Sequence, residues 1–204
     1  IAKSPSMKEL RNVSIEDLLG RDKVELDWEI IKSGITDKIV MVTGGGGSIG
    51  TELCRQIALL EPKQLIIFER SEFNLYKILQ ELDSLDKNIM KTAVLGDVFD
   101  KSKIEYVFKE HRPQIIFHAA AYKHVPLLEG EWREAVRNNI LSTTYLAYAA
   151  ENYSVEKFIL ISTDKAVNPV NVLGATKRLA EMFCESRNKS GKTKFITVRF
   201  GNVL

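Results

Sequence analysis

Six short apolar runs, at residues 39–43, 64–68, 92–95, 114–118, 157–161 and 195–200, alternate along this chain with segments of helical period. Ile49, Leu53, Ile57 and Leu60 fall on one face of the first such segment, and Val136, Ile140, Thr144 and Ala147 on one face of a later one. Strands that alternate with helices fold into a parallel sheet covered by helices on both faces, so the expected class is α/β with a doubly wound sheet. Ser71 and Asp100 are placed to cap two of the helices. Residues 1–37 precede the alternation and read as an arm or linker, with Ser14 and Asp17 starting a short helix and Gly20 ending it; residues 38–204 form the domain.

The turn after the first run is Thr43-Gly44-Gly45-Gly46-Gly47-Ser48-Ile49-Gly50. A chain that leaves a strand, turns sharply and starts a helix packed on the same sheet needs residues without a Cβ. Free N–H groups at the start of that helix then face outward and attract phosphate. Two spacings fit: Gly44, Gly47 and Gly50 as G-x-x-G-x-x-G, or Gly45, Gly47 and Gly50 as G-x-G-x-x-G. Ser48 and Ile49 would add their N–H groups. The expected ligand is a dinucleotide, although a plain tight turn uses the same glycines.

An acid at the end of the second run strengthens this reading. Glu69 lies 19 residues beyond Gly50, where a carboxylate accepts hydrogen bonds from the adenosine ribose and repels a 2′-phosphate. This favours NAD. Arg70, next to it, could instead hold that phosphate, so NADP stays open. Asp97 and Val98 follow the third run, where the Asp97 carboxylate could reach the adenine amino group or merely begin a turn.

Composition removes several classes of function. The 29 basic and 27 acidic residues nearly balance and form no basic block, which argues against nucleic acid as a partner. No apolar run of about 18 residues exists, so no membrane contact is expected within this chain. Cys54 and Cys184 are far apart in apolar helical patterns, which suggests neither a disulfide nor a metal and points to a reducing compartment. The start at Ile1 and the stop at Gly201-Asn202-Val203-Leu204, directly after a run, suggest that protein continues on both sides.

Longer blocks carry a resemblance. The glycine turn, Gly96-Asp97-Val98, His118-Ala119-Ala120-Ala121, Asn139 with Thr143, Lys177 and Arg199-Phe200-Gly201-Asn202-Val203 resemble the extended short-chain dehydrogenase/reductases, whose fold is Rossmann-like. Ala121-Tyr122-Lys123-His124-Val125-Pro126-Leu127, Ser162-Thr163-Asp164-Lys165-Ala166-Val167-Asn168-Pro169 and Gly174-Ala175-Thr176-Lys177-Arg178 are similar to the large, membrane-anchored UDP-N-acetylglucosamine 4,6-dehydratases of bacterial polysaccharide biosynthesis.

The resemblance implies a lyase that oxidises C4 of a UDP-sugar with NAD(P), eliminates water across C5 and C6 and returns the hydride to C6. Asp164 would be the acid, Lys165 the base, Thr163 the partner of the C4 oxygen and Lys177 the ligand of the nicotinamide ribose. The backbone of Ala119, Ala120 and Ala121 would line the cofactor, and Lys123, His124, Asn168 and Asn202 the substrate. It also implies a homo-oligomer, a substrate-binding lobe beyond Leu204, without which this chain alone would be inactive, and a cytoplasmic domain at the inner face of the cell membrane, anchored by a region before the arm.

The chemistry sets its own conditions. A lysine is a base only when neutral, and Asp164 must be protonated, or share a proton, to release hydroxide as water. Neighbours in a regular strand point oppositely, so Asp164 and Lys165 can face one substrate only if the strand ends there; Asn168-Pro169 fits such a break. Two positions depart from the family. Leu173 stands where most relatives in the wider superfamily carry a tyrosine base, four residues before Lys177 and on its helix face; the large dehydratases also place an apolar residue there. Ser142 replaces a glycine of the Asn-x-x-Gly-Thr pattern. Without the phenol, Asp164, directly or through Thr163, is expected to take the C4 proton. His118 is expected to pack beneath the cofactor, and no histidine has the neighbours of a metal site. The alternatives are a non-catalytic NAD-binding module, which Leu173 favours, and a nucleotide-sugar 4-epimerase or reductase, which ordinarily needs the tyrosine.

Overall fold

Burial of period two sets the two faces of the sheet. Val40 and Val42 of β1 (Ile39–Thr43) pack in one apolar cluster with Leu65 and Ile67 of β2 (Gln64–Glu69), while Met41 packs in another with Ile66 and Phe68. Both faces are covered, which is why these strands read as unbroken apolar runs rather than as alternation. The structure is a computed structural model that describes residues 27–85, 89–188 and 191–201. The remaining strands among these are β3 (Lys91–Leu95), β4 (Ile115–His118), β5 (Lys157–Thr163) and β6 (Lys194–Phe200).

All described pairings are parallel, in the order β3-β2-β1-β4-β5-β6, with Val40 opposite Leu65 on one side of β1 and Ile115 on the other. The order reverses between β1 and β4. Connections therefore leave in opposite directions and open a crevice at the carboxyl ends of these two strands.

The helices are α1 (Trp28–Ser33), α2 (Ser48–Leu59), α3 (Glu72–Asp83), α4 (Lys101–His111), α5 (Val125–Gly130), α6 (Trp132–Ala135), α7 (Ser142–Asn152) and α8 (Val172–Arg187). One face of the sheet takes Cys54, Ile57 and Ala58 of α2 and Leu75, Ile78 and Leu82 of α3. The other takes Ile104, Val107 and Phe108 of α4, Leu146 and Ala150 of α7, and Ala180 and Cys184 of α8. The caps stand where the sequence put them. Ser71 Oγ accepts from Asn74 N, and Asp100 Oδ1 from Ser102 N and Lys103 N. A cap of this kind stabilises by about 1 kcal/mol.

Three local expectations are corrected. Gly50, Cys54, Ile57 and Ala58 form the buried face of α2, with Leu53 and Leu60 only flanking it and Ile49 half-exposed. The helix is turned so that Gly50 lies against the Gly44 carbonyl, where a Cβ would come within 1.9 Å. On the later segment Ala147 is buried as expected, but Val136, Ile140 and Thr144 are only half-buried, and Ala135, Asn139, Thr143, Leu146 and Ala150 are among the residues buried in their place. A π turn at Val136–Leu141 causes this, because its wider ring shifts the facing residue. Finally, Ile35 is buried beside Val40 and Leu65, so the packed core begins before Lys38. Ser14, Asp17 and Gly20 lie outside the described residues.

Candidate active site

The glycine turn sits at the crevice between β1 and β4. Gly44 has φ of +68°, and a Cβ there would lie 2.7 Å from the backbone of Ala120. Gly45 is held as closely, since a Cβ there would lie 2.5 Å from Ile67 Cγ2, and in both spacings the last glycine is Gly50, packed on the Gly44 carbonyl. Gly47 is the N-cap of α2, and a Cβ there would meet only the Gly44 oxygen at 3.3 Å. Its open side faces a cavity lined by Gly44, Glu69, Arg70, Asp97, Val98 and Ala119 to Tyr122. The first N–H groups of α2, beginning at Ser48, have no acceptor within the helix.

Glu69 is less free than its position suggests. Its Oε2 accepts from Gly46 N at 3.0 Å, and its Oε1 from Arg70 N and Ser71 N at 2.9 Å each. The carboxylate thus ties the glycine turn to the end of β2 while still lining the cavity. Asp97 Oδ1 accepts from Phe99 N, the turn role, and its other oxygen lies 3.7 Å from Arg70 Nη1. Lys123 Nζ stands 3.5 Å from Ser48 Oγ, beside the glycine turn.

Beneath the cavity His118 is fully buried. Thr143 Oγ1 donates to the Asn139 carbonyl and so accepts from His118 Nε2; the other ring nitrogen then accepts from Thr43 Oγ1. Burial, with Lys177 nearby, lowers the imidazole to about 3, so it stays neutral and serves as packing. Asn139 accepts from Tyr122 N and donates to both Tyr122 O and Thr176 Oγ1. It therefore joins the loop after β4 to α8, one residue from Lys177. Ser142, at the family's glycine position, donates to the Asn138 carbonyl within the helix. Burial pushes the Cys54 and Cys184 thiols up to about 12, which leaves both inert.

Lys177 is only 5% exposed, and its ammonium makes no hydrogen bond or ion pair among the described residues. Burial lowers it to about 8, against the pull of Cys184 and Glu181. A buried cation without a partner and a glycine cradle that side chains would fill both fit a bound dinucleotide, the first at a ribose and the second at the diphosphate.

β5 ends at Thr163, and Asp164–Ala166 form a single 3-10 turn, which is the break that the Asp164-Lys165 pair required. Thr163 Oγ1 donates to Asp164 Oδ1 at 2.9 Å, and Lys165 Nζ lies 3.2 Å from the same oxygen. These two contacts hold the Asp164 carboxyl below its ordinary range. Asp164 is therefore ionised as the chain stands, and it must receive a proton, as the expected uptake of the C4 proton would supply, before it can act as an acid.

The same turn lies against the first turn of α8, where a Cβ on Gly174 would be 2.3 Å from the Lys165 carbonyl. Leu173 is buried with Leu128 and Ala135, flanked by Tyr122, Val125 and Val172, so the position of the usual phenol is packed with hydrocarbon. His124, the N-cap of α5, and Asn168, past the turn, are exposed. Asn202 lies outside the described residues.

Sequence reasoning missed three contributors. Glu181, its side chain 4% exposed, accepts from Ser162 Oγ at 2.6 Å, from Arg199 Nε and Nη2 at 2.8 and 2.6 Å and from Arg178 Nη1 at 3.2 Å. Burial works to raise it, but these donors outweigh burial and bring it to about 2. It clamps α8 to the ends of β5 and β6. Its place four residues after Lys177, an acid in a buried stripe, was the available signal. Gly174 was visible as a costly helix glycine. The Tyr122 side chain meets Arg70, a contact that nothing in the spacing announces.

A doubly wound parallel sheet with a glycine cradle at its switch point defines a Rossmann-like, dinucleotide-binding type of fold. Within that class the chain belongs to the polysaccharide biosynthesis protein family, whose model matches residues 40–204. It is 50% identical over 197 residues to the capsular polysaccharide biosynthesis protein CapD of Staphylococcus aureus, covering 96% of this chain and 33% of CapD. A UDP-N-acetylglucosamine 4,6-dehydratase (inverting) of Campylobacter jejuni is 35% identical, over 82% of this chain and 49% of the enzyme. A UDP-glucose 4-epimerase of Rickettsia rickettsii is 34% identical, over 82% and 50%. The X-ray structure of Pen from Bacillus thuringiensis superposes with a TM-score of 0.76 at 34% identity, covering 83% of this chain and 52% of that one. The chain spans from about a third to a half of the length of these relatives. Among the described residues no helix is long and apolar enough to cross a membrane.

Proposed function

We propose that this chain carries the cofactor site and most of the catalytic groups of a nucleotide-sugar 4,6-dehydratase that converts UDP-N-acetylglucosamine to a 4-keto-6-deoxy sugar nucleotide for polysaccharide synthesis. The observation that supports it most is the turn at Thr163, Asp164 and Lys165. There a hydroxyl, a carboxylate and an amine are joined by hydrogen bonds at 2.9 and 3.2 Å beside the buried Lys177 helix. NAD, held by Gly44, Gly47, Gly50 and Glu69 with Lys177 at the nicotinamide ribose, would supply a hydride acceptor at C4 and a donor at C6.

The residues then have distinct tasks. Thr163 hydrogen-bonds the C4 oxygen. Its proton passes along the existing Thr163–Asp164 bond to the ionised carboxylate, which replaces the phenol that Leu173 does not provide. Asp164, now protonated, gives that proton to the departing C6 hydroxyl, and Lys165, in its neutral amine form, takes the proton from C5 and becomes the ammonium. Lys177 donates to the ribose. The ionised resting state of Asp164 is what this sequence of transfers needs, since a carboxyl already protonated could not take the first proton. A homo-oligomer fits the exposed Tyr148, Leu179 and Met182 on α7 and α8.

The similarity to a UDP-glucose 4-epimerase favours a second reading, epimerisation at C4, for which an acid and a base at C6 and C5 have no task. Proton NMR of UDP-N-acetylglucosamine in deuterated water separates the two. The sample is a protein of the relatives' length carrying this domain, with NAD, beside its Lys165→Ala variant. A 6-deoxy-4-keto product with deuterium at C5, absent in the variant, is expected. A C4 epimer without deuterium at C5 would replace the dehydratase reading.

A further inference from the structure

Glu69 and Arg70 act on an adenosine ribose in opposite senses, because a carboxylate accepts from a free 2′-hydroxyl whereas a guanidinium takes a 2′-phosphate. A third residue decides between them. Arg70 Nη1 donates to the Tyr122 hydroxyl at 2.5 Å, the guanidinium carbon lies 5.0 Å from the centre of the Tyr122 ring, and Nη1 is 3.7 Å from Asp97 Oδ2. Tyr122 is itself fixed. Its N–H donates to Asn138 Oδ1 at 3.0 Å and Asn139 Oδ1 at 2.9 Å, and its carbonyl accepts from Asn139 Nδ2 at 3.1 Å. Glu69, Arg70, Asp97 and Tyr122 line one cavity, and Glu69 is locked by its three backbone donors.

We infer that Tyr122 is a specificity-determining residue that selects NAD over NADP by engaging Arg70 and keeping its guanidinium from a 2′-phosphate. This rests on the dinucleotide reading of the cavity. To serve a 2′-phosphate, Arg70 must leave a hydroxyl, an aromatic face and a carboxylate, and it must do so beside the fixed negative charge of Glu69. Because the Arg70 side chain is about half exposed, water offsets part of that loss and the expected effect is moderate.

The test is titration calorimetry of NAD and NADP against four proteins: the parent, Tyr122→Phe, Arg70→Ala and the double variant. Tyr122→Phe should raise the NADP-to-NAD affinity ratio about fivefold, equivalent to about 1 kcal/mol. With Arg70→Ala already present, the same substitution should leave the ratio within about twofold, since its partner is gone. A ratio that Tyr122→Phe does not change, or that rises equally without Arg70, would overturn the inference. Tyr122→Trp, which keeps an aromatic wall but moves the polar atom, is the second variant if the phenylalanine protein unfolds. A parent that binds neither nucleotide would instead remove the dinucleotide reading itself, a failure distinct from NAD binding with an insensitive ratio.

Discussion

Replacing Glu181 by glutamine keeps the size and one acceptor for Ser162 but removes the charge on which Arg199 and Arg178 converge. The folded carboxyl titrates at about 2 against an ordinary 4.5, a difference that corresponds to about 3 kcal/mol of stability at neutral pH. Breaking a buried pair gives a similar figure, about 3–5 kcal/mol, and the partly exposed guanidiniums, which can regain water, place the cost at its lower end. The sign follows from a depressed value. The contribution is complete above 4.5 and is lost as pH falls toward 2, with about 1.4 kcal/mol remaining near pH 3. Urea unfolding followed by far-ultraviolet circular dichroism should therefore show Glu181→Gln less stable by about 3 kcal/mol at pH 7, with the gap narrowing by more than half at pH 3. A gap under about 1 kcal/mol at pH 7, or one equal at both pH values, would refute the clamp.

Lys177→Met should stabilise the chain at pH 7 by about 1–3 kcal/mol while weakening NAD binding, because it removes a buried cation that has no partner. With the folded lysine at about 8 and its ordinary value at 10.5, the unfolded chain binds the extra proton, so parent stability should rise through that interval and the methionine variant should lack the rise; a variant less stable than the parent at pH 7 would contradict this. Gly47→Asp should abolish NAD binding by placing a carboxylate at the diphosphate, with a melting temperature near the parent's, since a Cβ there meets one oxygen at 3.3 Å; calorimetry and a thermal melt read the two effects. Gly174→Ala should lower kcat of a protein of the relatives' length at least about tenfold with little change in NAD affinity, because it pushes the Asp164 turn off α8; an equal loss in both would point to general unfolding.

The alternation of runs was enough to place every described strand to within two residues, since burial on both faces demands continuous apolar stretches whatever lies around them. The cap residues Ser71 and Asp100 were legible for a related reason: each acts on N–H groups two or three positions away. Helix faces were not. Gly50 turns α2 toward a carbonyl that comes from the preceding loop, and the π turn breaks the 3.6 period before Asn139. Both effects arise from contacts between segments. The same limit governed the site. The glycine turn and the Asp164 turn are local and could be read directly, but Glu69 proved to be held by Gly46, 23 residues earlier, and Arg70 by Tyr122, 52 residues later. The protonation of Asp164 depended on a hydroxyl and an amine whose orientation only the folded turn sets.

The π turn at Val136–Leu141 has a consequence for how the chain can change its length. A π turn is an α-helix carrying one additional residue, so deleting a single residue there would yield an ordinary helix running from α6 into α7 without cutting a strand. Because the wider turn absorbs that residue locally, the residues before and after it would keep their present faces. Asn139 meets the Tyr122 peptide and Thr176 from within the turn, and Thr143 meets His118 just beyond it. The segment could therefore lose one residue at the turn and remain helical from α6 into α7, provided Asn139 and Thr143 are kept.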